Sequence, residues 1–333
     1  MKNHTLTQSA LGCAITLILG LPLTAQADIK IENTIHFGGV FGMAANDTAT
    51  TMYIQGLKKR EESNTKFTGS VLGTLQKWKH GDKGSNSVVI MRVDENKVYT
   101  LDPDEKTYDE HPMYQPEKKK GETGTSTGKE DKDTKIIRND VEVKDTGKTQ
   151  KINGFDTHEY LVTWNLETEN TKTHERAKSL MTTDMWNATE AKLDKARQEQ
   201  TTYTLAYMKL MHLPMTADDL KQFGFNNVTL SGADSKAFMD KFSKIKGYPI
   251  SMDVSWKASD TGAPASGTHP ATESSQDVAK TLGNLFGSKD DKDSKPDADG
   301  MSTVFTSHME VKSVATDALS KDLFEVPDGY KQD

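Results

Sequence analysis

Cysteine is almost missing from this chain: of 333 residues only Cys13 is one, and it lies inside the N-terminal apolar run. Once that run is removed as a leader, no thiol remains. Disulfides, thiolate catalysis and cysteine-based zinc sites are then excluded. Hydrophobic residues reach only 34% and aromatics 7%, against 27% charged, so part of the length is expected to be linker rather than core. After the first 27 residues no apolar run approaches the ~20 residues that a membrane-spanning helix needs. Positive charge is not in excess either, because 42 Lys and Arg face 49 Asp and Glu for a formal net charge of −7. A mildly acidic chain of mixed signs is a poor nucleic-acid binder.

What is present begins with an export signature. Lys2, the apolar stretch "ALGCAITLILGLPL" and Ala25-Gln26-Ala27 fit a signal peptide (1–27) cleaved after Ala27. The mature chain would start at Asp28, with periplasmic or otherwise exported localisation and no transmembrane segment. Most of the apolar run follows Cys13, which argues against lipidation there.

The remainder reads as one domain, 28–333, with polar insertions at about 115–135 and 258–300. A tract such as "QPEKKKGETGTSTGKEDKDTK" has no apolar side chain to offset its ordering entropy. Alternating patterns mark strands in "IKIENTIHF", "SVVIMRVD", "KVYTLD", "KTYDEH", "IIRNDVEVKD", "THEYLVTWNLE", "HERAKSLMTTDMW", "YPISMDVSWKA" and "STVFTSHMEVKSVAT". Asn153-Gly154 predicts a tight turn. Asn187 followed by Glu190 has capping-box spacing, and residues 188–213 read mainly as helix ending at Pro214. Shorter helices are expected at 216–223, 235–245 and 275–287.

Candidate chemistry is thin. "RVDENKVYTLDPDEKTYDEH" (92–111) has seven acids but no glycine, so it is no EF-hand, and its acids fall at turns and strand ends. "KPDADG" (295–300) puts Lys295 where the first calcium ligand belongs and Thr306 where the last belongs. "GETGTSTGKE" (121–130) misses the phosphate-loop pattern at Thr123 and Glu130. No His-Glu-x-x-His occurs, and the histidines after residue 27 are scattered singly. Strand-borne Glu142, Glu159 and Glu167 are expected to face solvent. No cofactor and no catalytic residue are therefore assigned.

Methionine is the more informative residue. "YMKLMHLPM" places Met208, Met211, His212 and Met215 together, and Met181 and Met185 are not far upstream. Thioethers suit Cu(I), but they also suit adaptable apolar cavities and ordinary core packing.

"VVIMRVDENKVYTLDPDEKTYDEHP", followed in order by "KINGFDTHEYLVTW", "LMTTDMWNATE", "GYPISMDV" and "LSKDLFEVPDGYK", resembles a family of uncharacterised bacterial exported proteins related in fold to the lipoprotein carriers LolA and LolB. The resemblance spans most of 28–257 and 301–331. It implies an α+β fold in which a strongly curved antiparallel sheet, an incomplete barrel, is covered by helices. The expected function is a non-enzymatic binding protein whose hydrophobic cavity takes a lipid or the acyl chain of a lipoprotein. Met91, Trp164, Met181, Trp186, Met208, Met211 and Trp256 are the candidate lining residues, chosen for apolarity. The alternatives are an envelope structural or assembly factor working through protein contacts, and methionine-based copper handling.

Overall fold

The computed structural model describes residues 28–40, 44–68, 73–74, 81, 84–115, 134–213, 241–259 and 300–333. The expected signal peptide, the bulk of both polar insertions, the helices expected at 216–223 and 275–287, and most of 235–245 lie outside the described residues.

Twelve strands form one sheet: β1 (Ile29–Phe37), β2 (Asn46–Gln55), β3 (Lys58–Phe67), β4 (Ser85–Arg92), β5 (Lys97–Asp102), β6 (Thr107–Pro112), β7 (Thr134–Ile152), β8 (Phe155–Asn170), β9 (Arg176–Ala188), β10 (Tyr248–Ser259), β11 (Met301–Ala315) and β12 (Lys331–Gln332). Their order is β12-β6-β5-β4-β3-β2-β1-β11-β10-β9-β8-β7, and its two ends do not meet. All pairings are antiparallel except β12 with β6.

This overturns the expected α+β architecture of a curved sheet covered by helices. The described residues are mostly strand, and they carry one extended α-helix, α1 (Ala191–Leu210). Two long meanders, β1–β6 and β7–β9, supply most of the fold. Among the described residues their apolar patches are capped piecemeal rather than by a helical layer.

Local chemistry sets the turns. Asn153 and Gly154 both take positive φ, 49° and 88°, as a two-residue type I′ hairpin turn requires. Between β4 and β5, Asn96 adopts φ 57°. Its side chain also grips the chain beyond β6, donating to Tyr114 O at 3.0 Å and accepting from Tyr114 N at 2.9 Å. Between β5 and β6, Asp102 Oδ1 accepts the backbone N–H groups of Asp104 and Glu105 at 2.9 and 3.0 Å, an Asx turn.

Because directly paired residues share a face and side chains alternate along each strand, the register divides the sheet into two sides. On one side α1 buries Leu193 and Ala196 against Ile29, Ile31, Ile250, Val311 and Val314. We call this the helix face. Phe242 adds a second patch there, over Val141, Tyr160, Val162 and Met185. On the opposite side the C-terminal segment presses Phe324 onto Val88, Ile90, Tyr99 and Leu101; this is the tail face.

The helix starts differently from the sequence expectation. Glu190 is its N-cap and makes no side-chain cap bond. Asn187 instead ends β9 and donates to Lys246 O at 2.9 Å. The connection it grips bends at Gly247 (φ 84°), where a Cβ would lie 2.6 Å from Ala188 O. Lys192 caps the packing from above, with its ammonium 4.4 Å from the centre of the Phe155 ring.

Candidate functional site

A line of apolar side chains on the helix face runs across five strands. Val141 pairs with Trp164, Trp164 with Met181, Met181 with Trp256, and Trp256 with Phe305. Cross-strand partners of this kind stand side by side on one face. Phe37 extends the line: its ring lies 5.9 Å from that of Phe305, and the Trp256 ring meets Phe305 edge-on at 5.7 Å. All of these except the buried Val141 are half-buried.

The indole N–H groups are satisfied within the sheet. Trp164 donates to Asn139 Oδ1 at 2.8 Å and Trp256 to Ser179 Oγ at 2.6 Å. Those bonds hold each ring in one orientation, so the surface offers apolar ring area with its polar edges already partnered.

The structure thus brings Trp164, Met181 and Trp256 together. Met91 is on the same face but in β4, paired with Lys59 and Val98. Met208 is in the last turn of α1 and Met211 is its C-cap. Trp186 pairs with Glu159 and Ser251 on the tail face. Met185, counted with the methionines in the sequence, is a fully buried core residue.

A groove of about 620 Å³ lies on the tail face across β1–β4, and none of the expected lining residues borders it. Its walls mix polar and charged side chains, among them Thr51, Arg60, Glu62, Asn64 and Asn86, with apolar surface from Ala49, Val88 and Pro103. Arg60 is already committed: its Nε donates to Glu62 at 2.7 Å and its Nη1 to Leu323 O at 3.1 Å.

Glu159 departs from its expected solvent exposure, being only 3% exposed. The β7 ladder is interrupted between Asp145 and Thr149, and this irregularity carries Lys148 over the carboxylate, with Nζ 3.1 Å from Oε1. Nearby Asp184 has a buried Oδ1 without a hydrogen-bond partner. Burial pushes its carboxyl above the ordinary value of 3.8, with Glu159 and Asp253 adding to the shift. A raised acid favours the protonated folded state, so ionised Asp184 weakens the fold above its folded-state value. Asp184→Asn should therefore raise the thermal midpoint at pH 7, and that gain should vanish below about pH 3.8. Calorimetric melts across that range would check both parts.

Sequence reading also missed a meeting of histidines. His36 and His308, from opposite ends of the chain, are direct partners across β1 and β11. No local spacing could have disclosed it. Among the described residues no three His, Cys, Asp or Glu side chains converge as a preformed metal site, and no helix is long and apolar enough to cross a membrane. Gly124-Thr125-Ser126-Thr127-Gly128 has the Gly-x-Ser-x-Gly spacing of a hydrolase elbow. Its flanking sequence is polar, and it lies outside the described residues.

No family model and no curated protein matches the chain. Among solved structures, it is similar to the crystal structure of a DUF1329 family protein from Desulfovibrio piger. The identity is 10%, 91% of each chain is covered, and the TM-score is 0.25. DUF1329 is a family of uncharacterised proteins, and a likeness at that score carries no argument about this chain.

Proposed function

We propose that this is a non-enzymatic exported binding protein that holds the acyl chain of a lipid or lipoprotein against the helix face of its sheet. The observation that carries the reading is the line Val141–Trp164–Met181–Trp256–Phe305, with Phe37 beside it. An acyl chain is a flexible cylinder without hydrogen-bonding groups. A strip of aromatic and thioether side chains, whose own polar atoms are satisfied, suits it.

Mass spectrometry of solvent extracts from the purified protein should find bound lipid, and a fluorescent fatty acid should be displaced by it. Trp256→Ala removes a large contact worth about 1.5–3 kcal/mol of burial. It should weaken fatty-acid binding ~10–100-fold while leaving the thermal midpoint of the tail-face cluster in place. A lipid-free preparation that binds no fatty acid would sink the idea.

A second reading, an envelope assembly factor acting through protein contacts, has one observation of its own. Edge strand β7 presents Ile136 and Ile137 at 59% and 37% exposure, and open edges invite strand addition. A photocrosslinker at Ile136 that captures one protein in cells, together with unchanged behaviour of Trp256→Ala, would favour it.

A further inference from the structure

Across the tail face, four ionisable side chains from adjacent strands stand in one row. Asp253 on β10 pairs with His308 on β11, His308 with His36 on β1, and His36 with Asp47 on β2. The order is carboxylate, imidazole, imidazole, carboxylate. His308 Nδ1 lies 2.7 Å from Asp253 Oδ1, and His36 Nδ1 lies 2.6 Å from Asp47 Oδ1. Each imidazole thus turns Nδ1 outward, toward the strand on its far side.

We propose that His36 and His308 form a two-imidazole clip for a divalent transition-metal ion such as Zn²⁺, oriented by Asp47 and Asp253. This goes beyond the acyl-chain reading and uses the opposite face of the sheet. The two nitrogens of an imidazole flank Cε1 and their lone pairs point in widely divergent directions, so holding Nδ1 on a carboxylate leaves Nε2 clear of that carboxylate. Direct cross-strand partners have Cβ atoms about 4.5–5.5 Å apart, close enough for the Nε2 atoms of His36 and His308 to close on one ion. The same contact fixes the tautomer: Nδ1–H donates to the carboxylate, and the Nε2 lone pair is left for a metal. Carboxylate–imidazole pairs behind a ligand are the usual outer support of histidine metal sites.

Neighbouring atoms complete the setting. Glu310 Oε2 lies 3.9 Å from His308 Nε2. Glu310 is also engaged by Lys312 at 2.5 Å and by Asn153 at 2.8 Å, so it tunes the site from its edge rather than acting as a ready ligand. Asp184 pairs with Asp253 and continues the row, adding negative charge that favours a cation. With two protein nitrogens the remaining positions belong to water, as in open rather than structural sites. Imidazole nitrogen suits Zn²⁺, Ni²⁺ and Cu²⁺ and does not suit Ca²⁺ or Mg²⁺. The bland alternative is two independent surface ion pairs, and it gives the next experiment a clear opposite outcome.

The test is calorimetric titration of Zn²⁺ into the full chain prepared without a polyhistidine tag. One Zn²⁺ per chain is expected. His36→Gln and His308→Gln should each lower its affinity at least tenfold, whereas Asp47→Asn and Asp253→Asn should lower it by roughly 10–100-fold through loss of ring orientation. His174→Gln, at an exposed histidine paired only locally with Glu169, should change nothing. Ring ¹⁵N shifts should move at Nε2 of both histidines in the wild type. Zn²⁺ affinity unchanged by His36→Gln and His308→Gln, or no binding tighter than about 1 mM, overturns the proposal. The four side chains of the row are roughly half exposed and His174 is more exposed still, so loss of folding does not obscure the result.

Discussion

Phe324→Ala is expected to cost about 3–5 kcal/mol of unfolding free energy and to release the C-terminal segment from the sheet. Phe324 is fully buried, and it is the only residue of that segment among the fully buried members of the tail-face cluster. It projects from a short 3-10 turn, Lys321–Phe324, whose cap Ser320 accepts from Asp322 N. The turn has little stability of its own. Its ring fills the space between Val88, Ile90, Tyr99 and Leu101 on β4 and β5. Truncation removes that contact area and leaves a cavity that four residues on two paired strands cannot close. Urea titration would read the loss. Amide exchange should show fast opening of Lys331 and Asp333, whose N–H groups bond Lys106 O and Tyr108 O. Leu57→Ala, at a half-exposed turn, should stay within about 0.5 kcal/mol.

That cluster shows where a sequence reader succeeds and stops. Period-two alternation in residues 85–112 locates β4, β5 and β6, and the Asp, Asn and Pro residues locate their turns. The Asn153-Gly154 hairpin and α1 were legible for the same local reasons. Facing was overlooked: Met181 and Trp186, both expected to line one cavity, differ in parity along β9, so one strand cannot present both on one side, and Trp186 lies on the tail face. What local pattern does not encode is register between distant strands. The alignment of Trp164, Met181 and Trp256 depends on how β8, β9 and β10 are paired. The contact of His36 with His308 depends on β1 closing against β11. Cover is equally non-local: the same apolar stripe can be roofed by helices or by a 3-10 turn, and strand periodicity is identical in both cases. Glu159 illustrates the remaining failure, because its burial comes from an interruption in the neighbouring strand.

Arg92→Met should destabilise by about 2–3 kcal/mol, less than the 3–5 kcal/mol typical of breaking a fully buried ion pair because its partners reach solvent. Arg92 is 5% exposed and ends β4 beneath the tail. Its Nη1 donates to Glu325 Oε1 at 2.6 Å and to Phe324 O at 3.4 Å, its Nη2 to Asp94 Oδ2 at 3.0 Å, and it also contacts Glu95. The acids of the β4–β5 turn thus have a second task beyond turning the chain: they hold one guanidinium that in turn holds the C-terminal segment. Hydrogen bonding to Asp94 holds Arg92 even more firmly protonated than usual, so no accessible pH discharges it. Methionine fills the stem's volume, but it leaves three carboxylates facing one another without their shared cation. Lysine restores the charge and not the fork, since an ammonium cannot bridge Asp94 and Glu325 with separate, fixed N–H groups. Arg92→Lys should therefore recover only part of the loss. Because Arg92 binds the Phe324 carbonyl, the double variant with Phe324→Ala should lose less than the two single losses combined. Full additivity in that cycle would mean that the buried cation and the buried ring hold the tail independently, as two unrelated contacts rather than one clasp.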